Sequence, residues 1–182
     1  FHVADKVNAI VEEMRTSGSK QDYENVMRLL DETYKTPETG PDELPQHNTL
    51  SKVMLTKEVK DSGLQLHQAL ALQLYTTSTH QSINNALREG RKPNPFPLTT
   101  YFISEGLKSL RVHSSKTGGN KKRTYWRGMR NMKVSEKFMA NGGAEMACMS
   151  TTSSKAVAME FAGKKCPVLF KCVSRSFMSH GA

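Results

Sequence analysis

The spacing of apolar residues changes once along this chain, and that change limits the folds open to it. Over residues 3–110 large apolar side chains recur at three- and four-residue intervals; beyond about residue 122 they fall in short runs instead. The first spacing buries one side of a helix, and short apolar runs bounded by glycine and polar residues suit strands. Helices first and strands later point to an α+β fold, with a helical lobe against a sheet.

Val3, Val7, Ile10, Val11 and Met14 predict a first helix, which Ser17-Gly18 stops. Ser19 lies three residues before Asp22, the spacing of a capping box with an aspartate. Tyr23, Val26, Met27, Leu30 and Tyr34 then mark a second helix, and residues 37–45 form a linker of proline, glycine and acids. Residues 1–48 are therefore read as a helical extension with its linker, and residues 49–182 as the main domain. In that domain a short helix is expected over 49–60 and a buried Leu/Ala/Gln helix over 64–74. A polar break follows at 76–79, then a helix over 82–88 ended by Gly90 and a loop with three prolines over 91–97. Phe102, Ile103, Leu107 and Leu110 share one side of a helix over 101–110. Strands are expected over 122–126, 144–150 and 167–173, with a helix over 154–162 that sets Val157, Ala158 and Phe161 on one face.

A length of 182 residues fits one domain with a small appended layer. No run of eighteen apolar residues occurs, so neither a transmembrane helix nor a membrane partner is expected. The opening Phe1-His2-Val3-Ala4-Asp5 is unlike a signal peptide and has no initiator Met, which suits a processed product or an excised piece. Cys148, Cys166 and Cys172 are an odd set without CxxC spacing. They read as reduced cysteines of an intracellular protein, not as a disulfide framework or a zinc site. The six histidines are dispersed, so no metal is expected, and no Gly-x-Ser-x-Gly elbow of a serine hydrolase is present. The net charge is +9, and Lys116, Lys121, Lys122, Arg123, Arg127, Arg130 and Lys133 crowd into one stretch. Such a field favours a dinucleotide, a nucleic acid or an acidic protein surface. Its first part, around Thr117-Gly118-Gly119-Asn120, reads equally as a solvated turn.

Two short motifs offer chemistry. Arg127-Gly128 closes the β-type run Arg123-Thr124-Tyr125-Trp126, and Met149-Ser150-Thr151-Thr152 follows about twenty residues on, ahead of an Ala/Val-rich helix ending at Phe161-Ala162. An arginine supplies a fixed fork of donors for phosphate. A glycine lets backbone amides approach a flat carboxamide, and a small hydroxyl can hold a carboxylate in its ionised orientation. Taken singly, Arg-Gly is also an ordinary strand end and Ser-Thr-Thr an ordinary helix cap.

Taken together, these motifs resemble the arginine and Ser-Thr-Ser/Thr elements of the mono-ADP-ribosyltransferases of the R-S-E class. The likeness extends from Phe138 through Gly142-Gly143 to Ala162, and upstream to Leu74-Tyr75-Thr76 and Ile83-Asn84-Asn85-Ala86-Leu87-Arg88, so that it covers residues 64–182. It implies a helical lobe packed on a mixed or antiparallel β core around an NAD cleft. Arg127, Ser150 and Thr152 would be the catalytic set, with threonine where serine is the common form. Gly128 and Thr151 would lie against NAD, and Lys164 would meet a phosphate. Phe161 stacks on nicotinamide or belongs to the core of its helix; the two readings stay open. Asn84 and Arg88, four residues apart, line the adenosine and phosphate side or form a polar helix face.

The resemblance implies cleavage of the nicotinamide–ribose bond of NAD, through a cationic ribose, with ADP-ribose passed to an acceptor protein. With water as acceptor the enzyme would be an NAD glycohydrolase. The family's Glu-x-Glu strand is not in the sequence shown: no acid follows Glu160, and neither Glu145 nor Glu160 stands in its place. The expectation is a piece cut before that element, lacking the last strands and inactive by itself. Two other readings stand beside it. One is an inactive NAD-fold domain that serves as an interaction scaffold. The other is a nucleic-acid-binding module, since Tyr125 and Trp126 interleave with basic residues.

Overall fold

A computed structural model of the protein describes residues 2–31, 49–116, 123–130, 133–163 and 167–174. They form an α+β structure, rich in helix with a two-stranded antiparallel sheet. The chain divides into two compact units, Phe1–His113 and Ser114–Ala182. The boundary expected at residue 48 and the linker over 37–45 lie outside the described residues, as do Tyr34, Lys121, Lys122 and Lys164.

The first unit is helical: α1 Val3–Ser17, α2 Lys20–Leu30, α3 Leu50–Met54, α4 Lys57–Ser62, α5 Leu66–Thr76, α6 Thr79–Arg88 and α7 Pro97–Lys116, whose last turn runs past the division. Helix α5 is the hub, because its Leu/Ala composition leaves apolar atoms on most of its circumference. It packs against α1, α2, α3 and α6. Ala69, Leu70, Ala71 and Leu74 of α5 are buried with Ile10 and Met14 of α1, Val26 and Leu29 of α2, and Ile83 of α6. Helix α7 reaches α5 where Gly106 has no side chain to hold it off Leu72 and Gln68. The capping box foreseen at Ser19 is formed: the Asp22 backbone N–H donates to the Ser19 hydroxyl, and the Asp22 carboxylate accepts from the Ser19 N–H at 2.8 Å.

Helix boundaries differ from expectation in several places; α7, for one, runs on to Lys116, past the expected end at 110. The single helix over 49–60 is two helices, because the Thr56 hydroxyl donates to the Val53 carbonyl at 2.8 Å and turns the chain between them. Helix α6 begins at Thr79, inside the expected polar break, which shrinks to Thr77 and Ser78. Helix α7 begins at Pro97 and not at 101. Proline suits the first turn of a helix, where its missing N–H costs nothing.

The second unit is built on β1 Arg123–Met129, paired antiparallel with β2 Val168–Ser174. On the other edge of β1, Trp126 exchanges two backbone hydrogen bonds with Thr152, at 2.7 and 2.9 Å. Helix α9 Lys155–Ala162 lies on one face of this sheet and buries Ala158 and Ala162. A Cβ at Gly128 would overlap the Ala158 carbonyl oxygen and come within 2.7 Å of the Ala162 nitrogen, so α9 seats on the bare backbone of β1. Alternation then places Thr124 and Trp126 on the α9 side, and Tyr125, Arg127 and Met129 on the other. A helix absent from the sequence expectations, α8 Glu136–Asn141, belongs to that other face: the Phe138 ring meets Phe170 edge-on at 6.0 Å, and Phe170 is the cross-strand partner of Arg127. The strand expected over 144–150 does not form. Gly142-Gly143-Ala144 has little side chain to fix a register, and the segment reaches β1 in the ladder only at Thr152.

Candidate functional site

The two motifs that carry the resemblance meet in the second unit. Arg127 Nη1 donates to the Ser150 carbonyl oxygen at 3.3 Å. The bridge that fastens Thr152 to Trp126, the residue before Arg127, is what brings them together. The Ser150 hydroxyl is exposed and has no hydrogen-bond partner among the described residues. Thr151 is exposed beside it. Thr152 does two jobs. Its backbone pairs with β1, and its hydroxyl accepts from the Ser154 N–H at 3.1 Å, closing the turn into α9. The helix cap itself is Ser154, whose hydroxyl accepts from the Val157 N–H. The triplet is therefore a strand-like bridge that leads into a capped helix, and not the cap.

Arg127 also meets Glu145, a residue to which the sequence pattern assigns no role. The guanidinium Nη2 lies 3.5 Å from Oε2 of Glu145, and the side chains are 14% and 27% exposed. Burial, seconded by the Glu145 charge, pushes the nearby Cys148 thiol above its ordinary pKa.

On the α9 side, Lys155 Nζ and Lys171 Nζ sit 5.4 and 5.7 Å from the ring centroid of Trp126. Both are cation–π distances. Lys171 gets there by standing directly opposite Trp126 on β2, a register that single-strand patterns do not reveal. Phe161 is 51% exposed, which overturns its reading as a core residue of α9. The buried stripe of that helix is Ala158 and Ala162, because close approach to Gly128 leaves room only for methyl groups. The same finding corrects the face expected for Val157, which is exposed. At the end of α9, Arg130 Nε donates to the Phe161 carbonyl at 2.7 Å, setting a cation where the helix dipole is negative.

Asn84 and Arg88 belong to the helical unit. Asn84 is buried in α6, and its amide exchanges hydrogen bonds with the Tyr75 hydroxyl at 2.9 and 3.0 Å. Arg88 is exposed one turn further along the same helix. The Tyr-Thr and Ile-Asn strings are thus joined to each other by a structural hydrogen bond. Among the described residues no three His, Cys, Asp or Glu side chains gather as metal ligands would. No helix among them is long and apolar enough to cross a membrane.

No protein-family model matches the chain, and neither a curated protein nor a solved structure does.

Proposed function

We propose that the second unit is the NAD-binding part of an ADP-ribosyltransferase-like domain, and that its reaction is transfer of ADP-ribose from NAD to a protein side chain with release of nicotinamide. The observation that carries this reading is the approach of the Arg127 guanidinium to Ser150, with a free hydroxyl beside it. An arginine spends one donor on a backbone carbonyl and keeps others for a pyrophosphate. The Ser150 hydroxyl is of the right type to orient a carboxylate against a cationic ribose. Transfer is proposed only for a chain that supplies such a carboxylate; binding of NAD is proposed for the residues described here.

Heating the protein with and without NAD tests the reading. A ligand at a hundred times its Kd adds about 2.7 kcal/mol to the stability of the unit that binds it. The expected result is a rise in the melting temperature, lost in Arg127→Ala. An unchanged melting curve for the parent protein, or equal protection of both proteins, would sink it.

A second reading is favoured by one observation, the two lysines over Trp126. Cations around an aromatic ring suit a single-stranded nucleic acid, and oligonucleotide affinity that falls steeply with salt in the absence of NAD protection would select it.

A further inference from the structure

The ion pair between Arg127 and Glu145 is unlike the others in this protein. Among the described residues the remaining pairs join positions no more than four apart, with every side chain at least 33% exposed. Arg127 and Glu145 are eighteen residues apart and more buried. Glu145 is also set in place by its own loop, since its Oε1 accepts from the Ala147 N–H at 3.1 Å while Oε2 faces the guanidinium. A separation of 3.5 Å is nevertheless longer than the 2.7–2.9 Å of a good charge-assisted hydrogen bond. The carboxylate stands at the guanidinium without saturating it.

From this we infer that Glu145 is a built-in competitor for the anion that Arg127 binds, holding the guanidinium until a diphosphate displaces it. The inference rests on the reading of Arg127 as a phosphate-binding residue. The physical reason is charge: a diphosphate brings more negative charge and more acceptor oxygens to the fork than one carboxylate, so it displaces Glu145 but loses the free energy of the broken pair. Glu145 thereby sets affinity at this site and excludes weaker, singly charged anions. It is a specificity-determining residue and makes no bond to the reacting atoms.

Inorganic pyrophosphate is the first probe, titrated calorimetrically at low salt into the parent protein, Glu145→Gln, Glu145→Asp and Arg127→Gln. Glu145→Gln keeps the shape and removes the charge, and is expected to bind about two- to fivefold tighter, the scale of one partly exposed ion pair. Glu145→Asp keeps the charge but sets it back by one methylene, and is expected to bind between the parent and Glu145→Gln. Arg127→Gln is expected to lose binding. Thermal melting shows which variants are folded, and Glu145→Ser replaces Glu145→Gln if that protein is not. Equal or weaker pyrophosphate binding without the Glu145 charge overturns the inference, and so does an absence of binding to every protein. NAD is the second probe and separates the two ideas. Tighter pyrophosphate binding with no NAD binding leaves the competitor standing and removes the nucleotide reading. NAD affinity that is equal in the parent and Glu145→Gln does the reverse.

Discussion

Gly128 shows what one absent methyl group decides. Its backbone is the seat of α9, and any side chain there must displace the Ala158 carbonyl. We expect Gly128→Ala to destabilise the second unit by about 1–3 kcal/mol, the usual cost of overpacking a tight contact, measured as a shift in the urea midpoint. An unchanged midpoint would mean that α9 sits elsewhere. The sequence marked Gly128 as special through its place after Arg127, but the close approach it permits depends on a helix thirty residues away. Phe161 teaches the same lesson. An aromatic three residues after Ala158 belongs to the core by periodicity, yet the bare strand opposite admits only alanine methyls, and the ring stays outside.

Among the elements, α7 depends most on a distant residue. The Glu13 carboxylate, on α1, accepts from the Leu98 N–H at 2.6 Å and from the N–H and hydroxyl of Thr99 at 2.9 and 2.6 Å. It satisfies amides that a helix start leaves unpaired, and its charge complements the positive end of the helix dipole. Glu13→Ala is expected to cost about 1–2 kcal/mol of the stability of the helical unit, with Glu13→Gln in between. Equal denaturation midpoints for all three proteins would show that the cap contributes nothing. Periodicity alone begins this helix late, because its first turn, Pro97-Leu98-Thr99-Thr100, precedes the run of apolar residues on one side. Helix α2 was legible from its first residue, since Ser19 and Asp22 lie within one turn of each other. The lost strand over 144–150 and the unforeseen α8 come from one cause: a short segment rich in glycine and methionine carries neither period strongly, so packing of Phe138 on Phe170 settles it.

At the scale of the whole molecule, acid stability follows from how the helical unit is tied together. Asp22 of α2 is 2% exposed and accepts from the Ser82 hydroxyl of α6 at 2.7 Å, as well as from the Ser19 N–H and hydroxyl. Burial works to raise its pKa, but these hydrogen bonds outweigh it and hold the carboxyl below its ordinary value. The unfolded chain therefore takes up the proton first, so the stabilisation is full above about pH 4 and is lost as the pH falls through the lower folded value. Asp22→Asn is expected to flatten that acid limb of the stability curve and to lower stability near neutrality by about 1–3 kcal/mol. Parallel stability curves for the two proteins from pH 6 to pH 2 would contradict this. The amino-acid sequence by itself determined most of the helices, the extended runs that became β1 and β2, and the Ser19 cap, because those signals lie within one turn or one short run. Only the tertiary structure decided that Arg127 faces both Ser150 and Glu145, that Lys171 stands over Trp126 and that Glu13 starts α7. Such meetings depend on strand register and on where loops return the chain, and neither is written in the spacing of neighbouring residues.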